Sequence, residues 1–162
     1  MNTERKIVEP KEIVVFDKIV KASELNALTQ GFEGDVIITK KLIIDKDVDI
    51  TCNLHVLGNI VRKIPISEFS LNIDGDLYCY GEILCNEINV SGYFYSEKII
   101  YSRNIKVGEN FVCDSKIDAF GCDIIVAGNL ECQGLIAKKI RVLQKVSVYG
   151  SMAVSESIEI GY

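Results

Sequence analysis

The sequence predicts an all-β fold: a single-stranded parallel β-helix of about seven triangular coils, entered through a short N-terminal capping segment with a small helix. Three observations predict it. Apolar anchors recur mostly every five or six residues, which no helix produces, since a 3.6-residue period places them at i, i+3, i+4 and i+7. Within each phrase two anchors sit two residues apart, so both side chains leave the same face of a strand. A longer period of 16 to 19 residues brings like phrases back into line: Val36-x-Ile38, Leu54-x-Val56, Leu71-x-Ile73, Ile88-x-Val90, Ile105-x-Val107, Ile124-x-Val126, Ile140-x-Val142 and Ile158-x-Ile160.

The elements follow in chain order. Residues 1–34 form the cap, because an open solenoid end would expose core and unpaired backbone. Within it, Ser23 to Gly31 reads as a helix with Ser23 as N-cap and Gly31 just past its end. Residues 35–162 form the solenoid. Val36, Leu42 and Val48 are the inward anchors of its first coil, and the phrases at Leu54, Ile60 and Ile66 form the second. The series then runs through Leu71, Leu77 and Ile83 to Val146, Met152 and Ile158, with a long step from Ile117 to Ile124 and a short one from Ile136 to Ile140. Gly58, Gly75, Gly92, Gly108 and Gly128 follow the repeating pairs, where a tight corner would use positive φ. After the last phrase come Gly161 and Tyr162 and no cap, so Ile158, Ile160 and Tyr162 are a candidate open end.

Composition narrows the function classes. A chain of 162 residues, about half of them apolar, suits one domain with a full core. The net charge of −5 and the lack of a Lys/Arg cluster beyond pairs such as Lys138-Lys139 argue against a nucleic-acid surface. No apolar run is long enough for a transmembrane segment, and the polar start Met1 to Lys6 has no signal-peptide core, so a cytoplasmic protein is expected. Six cysteines form no C-x-x-C pair and there is one histidine, so neither metal nor cofactor is expected and the thiols are expected to be reduced.

Few residues point to chemistry. Cys79, Cys113 and Cys132 fall in one inward column with Ser96, and Cys85 lies inward on the next face, where small apolar residues suit a crowded interior. Cys113 and Cys132 occupy neighbouring coils, but parallel stacking disfavours a disulfide dihedral. Asp45-Lys46-Asp47-Val48-Asp49 imitates a calcium loop, yet Ile50 and Val56 stand where an EF-hand needs glycine and glutamate. The outward positions differ between faces. On the Ile-x-Val face they are mainly polar: His55, Asn72, Asn89, Lys106, Arg141 and Glu159, with Ile37 and Ile125 as exceptions. The next face offers Val61, Tyr78, Tyr95 and Val112, the third adds Leu84 and Tyr101, and Tyr80 and Tyr93 lie at nearby corners. That half-apolar, tyrosine-rich stripe is a candidate self-association surface.

Phrases such as Leu71-Asn72-Ile73-Asp74-Gly75-Asp76-Leu77 and Ile88-Asn89-Val90-Ser91-Gly92-Tyr93-Phe94, in coils of about 17 residues, resemble the bactofilins. These are polymer-forming bacterial cytoskeletal proteins with a right-handed β-helical core. The resemblance spans residues 36–160 and is one of pattern; the chain departs from it in its lower glycine content and its structured N-terminal segment. The left-handed hexapeptide-repeat acyltransferases are also similar, and use a histidine as general base between subunits, a role that would fall to His55. In their repeats a small inward residue precedes the large one, whereas Leu77-x-Cys79, Ile83-x-Cys85 and Phe111-x-Cys113 have the reverse order, which favours the right-handed reading. Together with the uneven faces and the uncapped C-terminal coil, the resemblance leads to the expectation of a non-catalytic structural protein that self-associates through the Tyr/Val face, the C-terminal coil or both, into an oligomer or polymer. The alternative is a carbohydrate- or other ligand-binding module, with acyltransfer third.

Overall fold

The computed structural model describes residues 12–63, 68–119 and 121–161. Its strands form three parallel ladders, one per face of the coil. The first face stacks β1 (Ile13–Phe16), β3 (Asp35–Ile38), β6 (Asn53–Val56), β9 (Leu77–Cys79), β12 (Phe94–Ser96), the start of β15 (Phe111–Asp118), the start of β17 (Leu130–Val142) and β18 (Val146–Val148). The second stacks β2 (Val20–Lys21), β4 (Leu42–Ile44), β7 (Ile60–Arg62), β10 (Ile83–Leu84), β13 (Ile100–Tyr101), the end of β15, the middle of β17 and the start of β19 (Met152–Ile160). The third stacks β5 (Val48–Ile50), β8 (Ser70–Ile73), β11 (Glu87–Val90), β14 (Asn104–Val107), β16 (Asp123–Val126) and the ends of β17 and β19. The fold is thus a parallel β-solenoid, of about 8 turns where the repeat count suggested seven. The additional turn begins with β1 and β2, which lie within the segment read as a cap and extend two of the ladders.

Inward residues alternate with outward ones along each strand, as a period of two requires, and the inward set forms one continuous buried core from Val20 to Val142. Phe94 and Phe111 stack in adjacent coils, with ring centroids 4.5 Å apart and planes 6° apart. Near the C-terminus the alternation corrects one anchor. Leu135 and Ala137 are buried, and Ile136 points outward in register with Asp118 and Ala153.

A second correction changes which residues are neighbours. Leu54 stacks beneath Leu77, and Leu71 stacks above Val48, so the eight repeating pairs do not form one column. The first two belong to the first face and the remaining six to the third. The cause is an enlarged corner between β7 and β8. Across it the coil-to-coil step is 23 residues, as between Asn53 and Asp76, against 17 between Asp76 and Tyr93. Ile66, read as an anchor, falls in that corner outside the described residues.

Side chains at the corners tie one coil to the next. The Ser70, Asp76, Glu82, Tyr93 and Asn129 backbone N–H groups donate to Asp47, Asn53, Asn59, Asp76 and Asn110 in the preceding coil, at 2.7–2.9 Å. These bonds satisfy backbone donors where the chain leaves the ladder. The corner glycines serve close approach rather than positive φ, which among described glycines occurs at Gly31, Gly121 and Gly161. A Cβ at Gly58 or Gly108 would run into the carbonyl oxygen of Lys40 or Ser91 in the coil below.

Helix α1 (Ala22–Leu28) occupies the place of a third-face strand in the first turn. Its N-cap is Lys21, with no side-chain cap bond, so Ser23 is not the cap. Instead the Asp45 carboxylate, one coil on, accepts from the Ser23 backbone N–H (3.1 Å) and hydroxyl (2.9 Å). Asn26 then imitates a strand. Its amide donates to the Asp47 carbonyl (2.7 Å), and its side-chain oxygen accepts from the Asp49 N–H (3.0 Å). The helix therefore closes the lower edge of β5.

Truncating Phe94 to alanine should lower unfolding free energy by about 3–5 kcal/mol, read by chemical denaturation, because the coils cannot collapse into the cavity. Partial burial alone would raise the Asp45 pKa, but the bonds from Ser23 outweigh it and the net shift is downward. Stability from that carboxylate is therefore present above its unfolded-state pKa and lost as pH falls through the lower folded value. Asp45→Ala should cost about 1 kcal/mol near neutrality. The gap from the parent should narrow in melts run below the ordinary carboxylate range; an unchanged gap would contradict the assignment.

Candidate functional site

Side chains that could act must leave the core, so the thiols are accounted for first. All six cysteines are free, and all but Cys122 are buried. Burial pushes the thiols of Cys79 and Cys132 up to about 12 and those of Cys85 and Cys113 up to about 11. Cys113 and Cys132 are register partners, as the repeat predicted, and both remain thiols. Their neighbours explain the residue type. The Cys79 thiol donates to the Gly81 carbonyl (3.5 Å), the Ser96 hydroxyl to Lys98 (3.1 Å) and the Cys85 thiol to Glu87 (3.3 Å), each two residues on. A small side chain with a donor satisfies the corner carbonyl without overfilling the interior. The signal legible in the sequence was a Cys or Ser at the last inward position of a strand.

His55 sits elsewhere than the repeat suggested. It lies on the first face, stacked on Tyr78 with ring centroids 4.6 Å and planes 5° apart. The carboxylate neighbour that the sequence did not reveal is Asp35, 3.6 Å from His55 Nε2, too far for a good hydrogen bond. That same Asp35 oxygen accepts from the Asn53 amide at 2.9 Å. One ring face of His55 is covered by Tyr78, and the nearest carboxylate oxygen is already engaged by Asn53.

The enlarged corner also redistributes the candidate stripe. Tyr78, Tyr95 and Val112 remain in register on the first face, now above His55. Val61 belongs to the second face, stacked between Ile43 and Leu84, with Tyr101 above Leu84. Two outward surfaces result. The second face carries a half-buried apolar row from Ile43 to Tyr101. The first carries aromatic pairs: Tyr78 with Tyr93 at 5.6 Å and Tyr80 with Tyr95 at 5.8 Å, tilted by 49° and 56°. The Tyr95 hydroxyl donates to Asp114 at 2.5 Å, which holds that phenol well above its ordinary pKa, with burial adding to the effect.

The third surface is the C-terminal end. In the penultimate coil Leu130, Cys132, Leu135, Ala137, Ile140 and Val142 are buried. Their counterparts in the last coil are not: Met152 is 48%, Ile158 42% and Ile160 55% exposed. β18 and β19 pair with β17 on one edge, and among the described residues nothing pairs with the other. Tyr162 lies outside the described residues.

Among the described residues no group of three or more His, Cys, Asp or Glu side chains could hold a metal ion. Within the same residues no helix is long and apolar enough to cross a membrane. Comparison with protein-family models, with curated proteins and with solved structures returns no match to this chain.

Thiol titration checks the interior. The native protein should expose about one reactive thiol of its six, Cys122, and all six after unfolding in denaturant. Rapid modification of three or more in the native state would show that the coils open locally.

Proposed function

We propose that this chain is a non-catalytic structural protein that associates with its own copies through the C-terminal coil. The observation that carries this reading is the exposure of Met152, Ile158 and Ile160 in the last described coil, beside edges of β18 and β19 that nothing pairs among the described residues. A parallel solenoid hides such a surface most completely against another coil of the same triangular section. The opposite end is a poor complement, because α1 already occupies the third face there. Two C-terminal ends meeting about a two-fold axis would pair strands antiparallel on all three faces, an isologous contact that closes at two copies.

Charge does not oppose this contact. Glu156 is bridged by Lys138 and Lys139 (3.2 and 3.3 Å) and Glu159 by Arg141 (3.1 Å), so the terminal coil meets its copy with its acids already paired. Growth beyond a dimer would need a second surface. The apolar row of Ile43, Val61, Leu84 and Tyr101 on the flat second face favours lateral association as that second reading. Both modes together would give the polymer that a bactofilin-like protein implies.

Light scattering over a hundredfold concentration range, with negative-stain images, tests the reading. The parent chain should show mass at or above a dimer, and Ile158→Lys with Ile160→Glu should reduce it to a monomer with an unchanged β-sheet circular dichroism spectrum. Filaments lost on Val61→Lys with Leu84→Lys, leaving dimers, would assign the lateral contact. A monomeric parent chain at every concentration would overturn self-association.

A further inference from the structure

The first face has a chemistry that neither association mode uses. Tyr80, at 38% exposure, is among its exposed large side chains, and Tyr78, Tyr93 and Tyr95 are half-buried around it. Beside these rings stand Asp76, which accepts from the Tyr93 N–H, Asp114, which accepts from the Tyr95 hydroxyl, Glu131, in register with Val112, and Glu97 at the corner after β12. None of the four carboxylates forms an ion pair among the described residues, whereas acids near the C-terminal end and the helix do, as Glu156, Glu159 and Glu24 show. The charges that bear on the phenols are uniformly negative: besides burial, Asp76 and Asp35 act on Tyr78, and Asp114, Glu131 and Asp76 on Tyr93. Carboxylates that accept hydrogen bonds but have no cationic partner, interleaved with electron-rich rings, make a surface complementary to positive charge.

We propose that this face docks a basic polypeptide segment of a partner, an extended stretch bearing arginine or lysine whose cationic groups lie over the tyrosine rings and pair with these carboxylates. Charge favours this occupant over a sugar polymer, since a neutral sugar can hydrogen-bond the four carboxylates but brings no positive charge to offset them. A second copy of this chain is disfavoured because it would bring like charges together. Arginine fits best, since its planar group can stack on a ring while its edge donates two parallel bonds to a carboxylate.

The proposal is independent of self-association, so the dimer-breaking variant at Ile158 and Ile160 should bind as the parent does. The probe is a fluorescent peptide of alternating arginine and serine, titrated with the full chain by anisotropy, with glutamate–serine as the charge-reversed control. Saturable binding is expected for the arginine peptide, weakening steeply with salt, and none for the control peptide. Asp114→Asn with Glu131→Gln should weaken binding about tenfold. Tyr78→Leu with Tyr93→Leu, which leaves net charge unchanged, should also weaken it about tenfold; if that pair lowers the melting temperature, Tyr80→Leu at the exposed ring serves instead. Glu33→Gln with Glu68→Gln removes the same charge elsewhere and should leave affinity unchanged. The proposal is overturned by absence of binding, by equal losses in the Glu33/Glu68 pair, or by indifference to the tyrosine substitutions. Binding of a neutral oligosaccharide competitive with the peptide would equally overturn it.

Discussion

In-register stacking is the constraint on which the rest of this structure depends. A single coil cannot bury its own anchors or pair its own backbone; it borrows both from the coils above and below. Every inward position therefore answers to a neighbour 16 to 23 residues away, as Ile140 does to Ile124 and Leu77 to Leu54. The corners solve the same problem by other means. Asn and Asp side chains accept from the next coil's backbone, glycines let one corner sit on the carbonyl below, and Cys79, Ser96 and Cys85 satisfy corner carbonyls from inside. These residue types look unrelated in the sequence and share one physical task.

The first described turn shows how the constraint is met where a strand is missing. At the start of the third face, α1 stands in for a strand, and Asn26 supplies both the donor and the acceptor that a neighbouring strand would have offered. The three acids of the Asp45–Asp49 stretch belong to the same arrangement. Asp45 holds the helix below, while Asp47 and Asp49 accept from Ser70 and Asn72 in the coil above. A segment that imitates a metal loop in sequence is a junction between helix α1 and the coil above it. At the other end no such substitute appears among the described residues.

The fold class was legible because inward anchors are forced to repeat, and the pattern survives in Ile88, Ile105 and Ile124 even where coil length drifts. The stacking was not fully legible, because the same large-x-large phrase serves every face. Leu54 and Leu71 follow the average period, and nothing in either phrase tells that the corner between them is enlarged. Ile136 misled for a related reason: it is apolar beside two inward residues, and alternation alone cannot choose between it and Leu135. The outward surfaces inherited the error, which placed His55 among polar neighbours and Val61 among tyrosines.

That error identifies where functional information lies. Inward columns are dictated by packing, so Phe94 above Leu77 says nothing about partners. Outward positions are free of that demand, and a solenoid needing only solubility could scatter charge over all its faces. Here, once the enlarged corner is accounted for, they are sorted. An apolar row from Ile43 to Tyr101 lies on the second face, tyrosines and acids without ion-pair partners on the first, and an asparagine chain from Asn89 through Asn72 to Asp49 on the third. The long corner keeps this order, carrying Val61 into line with Leu84 and His55 into line with Tyr78. Packing of the interior does not require this distribution of outward residues.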